Sequence, residues 1–264
     1  DLINGCLFFE VEKKIVLIGD VSPDKSPEWL RDLTDLYLNV ITKSKFQINI
    51  DFTGWSFIVL RSFKCQNSIK NFKIKKFGKS EYFKKAGYLR ICFNDWLIFM
   101  HLESNTENII ASHAHHDFTS FILFYKKKEV LIDVGRYCYS KKENFGQMSS
   151  GHNALEINGF SASQSKRDRL IAPIFKLKNF STSWSKTDTS MTIKLSHNGF
   201  SRINKNIKKH IRTLFIKNNT FTLFDEFEGK GIVNSVTYFQ WPIELNIRDK
   251  LLKKNIKNSN KKNY

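Results

Sequence analysis

Residues 111–154 decide the reading of this chain: A-S-H-A-H-H-D-F-T-S-F-I-L-F-Y over 111–125, K-K-K-E over 126–129, V-L-I-D-V-G-R-Y-C-Y over 130–139 and S-S-G-H-N-A over 149–154. The first run reads as a strand entering a core, because Phe118, Phe121, Ile122 and Phe124 are apolar and Thr119 and Ser120 are small. In a strand, side chains two apart share a face, so His113, His115 and Asp117 point one way and Ala114 and His116 the other. The lysine-rich step Lys126 to Glu129 reads as a hairpin turn, and the returning strand Val130-Leu131-Ile132 ends in Asp133. A carboxylate at the end of an apolar strand is costly to bury unless a cation receives it. His152 follows a Ser-Ser-Gly turn and precedes the strand-like Ala154 to Ile157. Imidazoles and one carboxylate from three adjacent segments are a donor set that zinc accepts. The spacing matches no generic zinc motif, and a polar groove lined by His113, His115 and His116, with Asp133 capping a turn, accounts for the same residues.

Working outward, 264 residues suffice to bury a sizeable core. No apolar run reaches the roughly 18 residues of a membrane span. The N-terminus has neither an initiator Met nor a signal-peptide pattern, so the chain is expected to begin inside a longer protein. A net charge of +18 favours polyanionic partners. The lysines are spread along the whole chain, however, with no recognition helix or aromatic–basic strand motif, which argues against nucleic acid. Cys6, Cys65, Cys92 and Cys138 form no C-x-x-C pair and read as free thiols.

The periodicity is helical only once. Ser26 as N-cap, Pro27 at the first helical position, and Trp29, Leu30, Leu33, Leu36, Tyr37 and Val40 predict an amphipathic helix ending near Thr42. From Phe46 the period becomes two. Tyr88–Phe93 and Trp96–Leu102 flank an Asn94-Asp95 turn, and an Asn158-Gly159 turn follows Ile157. Strands are predicted over 174–180, 191–196, 210–216, 221–227 and 233–241. Short strands separated by turn residues, without alternating helices, predict an all-β, large antiparallel β-sandwich. The expected organisation is 1–45 helical end and linker, 46–250 sandwich, and 251–264 a disordered Lys/Asn-rich tail.

The blocks His113 to Phe121, Val130 to Tyr139 and His152 to Gly159, in this order and with these gaps, resemble the heparinase II/III-like polysaccharide lyases. That family writes them roughly as H-A-H-A-D-x-L-S-F, L-L-V-D-P-G-T-Y-x-Y and H-N-T-V-x-V-D-G. The resemblance extends over 80–242 through the strand series and Asp225 to Gly229, and it makes residues 1–45 a short α-helical remnant of an (α/α) toroid. It implies a zinc ion held by His115, Asp133 and His152, structural rather than catalytic. It implies an active-site imidazole at His113 and a cleft-lining tyrosine at Tyr137. Arg136 stands where the family has a small polar residue and is a candidate contact for an acidic sugar. Val134 replaces the proline and His116 a small residue. The implied activity is β-elimination on acidic, uronate-containing polysaccharides such as glycosaminoglycans or alginate, in the periplasm or outside the cell. The catalytic tyrosine of the family belongs to the toroid, so this chain is expected to lack it. A non-catalytic carbohydrate-binding sandwich with a structural metal is the alternative.

Overall fold

A computed structural model describes residues 8–12, 14–19, 80–84, 86–102, 115–136, 145–163, 177 and 180–242. The expected helix after Ser26, His113, Tyr137 and the tail all lie outside the described residues. Antiparallel strands dominate. They are β1 (Glu10–Val11), β2 (Lys14–Ile15), β3 (Glu81–Phe83), β4 (Tyr88–Phe93), β5 (Trp96–His101), β6 (Phe121–Tyr125) and β7 (Lys128–Leu131). After them come β8 (Leu155–Ile157), β9 (Phe160–Ser161), β10 (Ser181–Lys186), β11 (Ser190–His197), β12 (Ile207–Lys217), β13 (Thr220–Gly229) and β14 (Ser235–Thr237). β3 to β7 form one five-stranded meander, β10 to β13 a four-stranded one, and β14-β8-β9 a small third sheet.

The two meanders pack face to face. Leu89, Ile91, Phe93, Ile98, Met100, Phe121 and Leu123 of the first meet Met191, Ile193, Leu195, Leu214 and Ile216 of the second. The opposite face of the first meander is also covered. Phe99, Ile122 and Phe124 pack there against Phe8, Val16 and Ile18 of the N-terminal segment. Burial on both faces explains why β4, β5 and β6 read as nearly continuous apolar runs instead of alternating. The second meander keeps the period of two. On β12, Leu214 and Ile216 face the core, and so do His210 and Arg212 on the same side of the strand. The inner face is therefore apolar at one end and polar at the other.

The expected antiparallel sandwich is what the chain forms, with shifts in detail. The turn after β6 is Lys126-Lys127, both at positive φ, and β7 begins at Lys128, before the expected Val130. Strand β10, rich in Ser and Thr, was not expected. Of the predicted 233–241 strand only Ser235–Thr237 pairs in a sheet. The largest difference lies before β6. Residues 115–120 are not strand but a bend and a turn, so strict alternation does not govern them.

Candidate functional site

A turn from Asp117 to Ser120 feeds β6. Ser120 N donates to Asp117 O at 2.8 Å, and Thr119 sits at φ 67°, the left-handed value type II turns require at their third position. A β-branched residue there is an outlier. Backbone bonds pin it to the neighbouring strand: Thr119 N donates to His101 O and His101 N to Ser120 O. The preceding residues are tied to the 145–151 loop, since His116 N donates to Gln147 O. As a result His115 and Asp117 are both buried, while His116 is half-buried.

β7 delivers the carboxylate. Gly135, at φ 62°, lets the chain double back so that its N–H donates to Asp133 Oδ1 at 2.8 Å. That bond fixes the carboxylate and leaves Oδ2 for His152 Nδ1, also at 2.8 Å. On its other edge, His152 Nε2 lies 3.3 Å from His115 Nδ1. Three side chains from three segments thus form one buried row, Asp133–His152–His115, with His152 and Asp133 side chains fully shielded from solvent. Asp133 therefore caps a turn with one oxygen and orients an imidazole with the other. Burial disfavours a charge on His152, but the Asp133 carboxylate and its hydrogen bond, with help from Asp117 and the Gly146 carbonyl, outweigh that and push its pKa up to about 9.

A second carboxylate–imidazole pair lies alongside. His101 Nδ1 is 2.8 Å from Asp117 Oδ2, and Tyr88 stacks on the His101 ring at 4.8 Å. Burial raises the Asp117 carboxyl, yet His101, then His152 and His115, hold it far below the usual carboxylate range. The sequence reading placed Asp117 on the site face but did not identify His101 as its partner.

Asn153, next to His152, was not singled out either, though its side chain ties the site together. Its Nδ2 donates to Phe121 O (2.6 Å) and Ile132 O (2.8 Å), and its Oδ1 accepts from Gln240 N (2.7 Å). Its backbone N–H donates to Ser120 Oγ at 3.1 Å. One fully buried amide thus joins β6, the end of β7 and the segment after β14 around the imidazole row. The polar end of the second meander backs this arrangement. Gly199 N donates to His197 Nδ1, so His197 Nε2–H donates to His210 Nδ1 (2.9 Å) and His210 Nε2–H to Asp225 Oδ1 (2.8 Å). Both imidazoles are kept neutral chiefly by burial, and His197 is driven well below its ordinary value.

Of the residues expected to matter, the structure brings His115, Asp133 and His152 together. Arg136 is half-buried just beyond the Asp133 turn, with the Gly146 backbone close against its own carbonyl. Among the described residues no three His, Cys, Asp or Glu side chains enclose one point as a closed metal shell. The signal for the second network was present in the sequence. His210 and Arg212 fall on the core side of an alternating strand, and Arg212 pairs in register with Asp225.

The profile of the family described as "Heparinase II/III-like, C-terminal" matches residues 77–259, well over half of the chain. No curated protein matches the sequence. Among solved structures, a heparinase III gene product superposes with a TM-score of 0.56 at 16% identity, over 89% of this chain and 33% of that one. A mutant of the heparan sulfate lyase from Pedobacter heparinus gives a TM-score of 0.54 at 15% identity, again over 89% of this chain and 33% of that one. The chain thus spans about a third of the length of these structures, and at such identities they speak for the fold. With an antiparallel sandwich that brings His115, Asp133 and His152 of the three blocks into one buried row, the chain belongs to the heparinase II/III-like family, as its C-terminal β-sandwich domain.

Proposed function

We propose that this chain is the sandwich portion of a polysaccharide lyase that cleaves uronate-containing glycans by β-elimination. The observation that carries the reading is the buried row Asp133–His152–His115, built from the three family blocks inside a family-matched sandwich. Because these side chains are shielded from solvent, the row serves to hold the wall of the glycan cleft and does not touch sugar. Contact with substrate falls to His113, Tyr137 and Arg136, which flank the row in sequence. In β-elimination the C5 proton of a uronate becomes acidic once the adjacent carboxylate is neutralised. A base removes that proton and an acid protonates the departing glycosidic oxygen. His113 is the candidate imidazole for neutralisation or proton transfer, and the cationic Arg136 for the acidic sugar. The acid belongs to the tyrosine that the family carries on its helical toroid, and this chain is proposed to act together with such a toroid.

The donor types fit zinc. Two ligating nitrogens at zinc–nitrogen distances of about 2.0–2.1 Å stand about 3.3–3.4 Å apart in a tetrahedral shell. His115 Nδ1 and His152 Nε2 are 3.3 Å apart. Asp133, as it stands, receives His152 Nδ1–H, the carboxylate–histidine pairing that orients metal-bound imidazoles. In this arrangement His115 and His152 would hold the ion and Asp133 would orient His152 from its far edge, where the family resemblance implied a direct ligand; the ion would supply rigidity to the cleft wall. The charge of +18 suits a polyanionic substrate, and a periplasmic or secreted location suits that substrate.

The test is ultraviolet detection of the C4–C5 unsaturated uronate product. The natural polypeptide containing this chain would be incubated with heparan sulfate first, then alginate and hyaluronan. Product from at least one acidic glycan is expected, and its loss in His113→Ala. Glycan binding without product from any of them would favour a non-catalytic carbohydrate-binding sandwich.

A further inference from the structure

Among the described residues Arg212 is the largest fully buried side chain, and its bonds reach from the second meander to the loops that carry the site. Nε and Nη2 donate to the two oxygens of Asp225, at 2.8 and 3.0 Å. Nη1 reaches the other way and donates to Thr119 O (3.1 Å) and Asn153 O (3.0 Å). Asp225 is itself held by His210 Nε2 and by Thr237 Oγ1 (3.2 Å), so the fork has a fixed base. The two carbonyls it reads are not arbitrary. Asn153 follows His152 directly. Thr119 lies in the turn that carries Asp117, at the left-handed φ that needs outside support.

We propose that Arg212, aimed by Asp225, is the positioning residue of the site: it clamps the His152 segment to the Asp117–Ser120 turn. The proposal rests on the reading of the site given above but concerns a separate property of it. A buried ion pair is by itself weak grounds for a stability role, since apolar replacements are often neutral or better. What singles out Arg212 is planar geometry: one rigid fork satisfies a carboxylate on one side and two carbonyls on the other, and a lysine ammonium cannot span both.

The experiment follows the His152 Nδ1–H proton by nitrogen-15 imidazole NMR on the 264-residue chain, comparing Arg212→Lys with Leu214→Ala. Leu214 lies on the same strand, is equally buried, and belongs to the apolar core between the meanders. In the parent chain the proton should be slow to exchange, because Asp133 accepts it out of solvent. Arg212→Lys should lose about tenfold or more of that protection while Leu214→Ala keeps it. Should Arg212→Lys not fold, Arg212→Gln, which is neutral and reaches one carbonyl only, takes its place with the same expectation. Unchanged protection in the Arg212 variant, or equal loss in Leu214→Ala at matched stability, overturns the proposal. In the natural polypeptide, Arg212→Lys should lower kcat about 10- to 100-fold with KM within about threefold. Protection lost in Arg212→Lys alongside a parent inactive on every acidic glycan would refute the lyase reading and leave the clamp standing.

Discussion

Asn153→Ala puts the architecture of the site under the sharpest strain. The residue is fully buried and its side chain makes three hydrogen bonds, two donated to the Phe121 and Ile132 carbonyls and one accepted from Gln240 N. Each such bond contributes about 1 kcal/mol net, and a buried partner left without one costs about 1–3 kcal/mol. Water that enters the new space recovers part of this, so a loss of about 3–4 kcal/mol is expected. For a chain of this length that corresponds to a fall in Tm of roughly 6–16 °C. Asn153→Asp is the more telling variant. It preserves shape and the acceptor for Gln240 N, yet turns a carboxylate oxygen toward two carbonyls, so it should cost at least as much as alanine. Urea unfolding of both variants, followed by circular dichroism, reads the difference. An Asn153→Asp chain as stable as the parent would refute the assignment of Nδ2 as the staple between β6 and β7, and a loss under about 1 kcal/mol in Asn153→Ala would refute the staple altogether.

Acid should weaken the fold through two buried imidazoles. His197 and His210 are held neutral below their ordinary value of 6.5, so the unfolded chain binds protons that the folded chain refuses. The contribution of these two groups is then fully present above pH 6.5 and falls as pH drops below it, by up to about 1.4 kcal/mol per unit for each group; His210→Gln should flatten this limb in denaturant titrations between pH 5 and 6.5. The turn Lys126-Lys127 places two lysines at φ 49° and 65°, where Asn-Gly is the natural choice. Lys126→Asn/Lys127→Gly should therefore gain about 1 kcal/mol, because the exposed Lys127–Glu12 pair it removes is worth little; a less stable variant would contradict the turn assignment. Zinc added to metal-free chain at about 100 times its Kd should stabilise it by about 2.7 kcal/mol, and His152→Ala should abolish the effect in thermal melts.

The sequence disclosed the sandwich because burial has a period. β4, β5, β11, β12 and β13 announce themselves through apolar runs, and Asn94-Asp95 and Asn158-Gly159 through turn chemistry. β10 was hidden: its residues, Ser181 to Lys186, are mostly exposed, and the single apolar side chain among them, Trp184, makes no alternating pattern to read. The stretch before β6 misled for a different reason. It leads directly into the apolar run of β6 and reads as the start of that strand, but the bonds that bend it come from His101 and Gln147, distant in sequence. His115, Asp133 and His152 were legible through their blocks. Their supports were less so, since Asn153, His101 and Arg212 act through carbonyls and carboxylates that only the fold brings near. Arg212 and Asp225 left a trace all the same, an opposite-charge pair in register on the core side of adjacent strands.

The central claim is that His115 and His152, the latter oriented by Asp133, can hold a zinc ion within the buried row. Anomalous scattering at the zinc edge, from crystals of the chain grown with zinc, tests it most directly. The account predicts one strong peak between His115 Nδ1 and His152 Nε2, absent in His152→Ala crystals. No peak there, or a peak bound only by other residues, would contradict it.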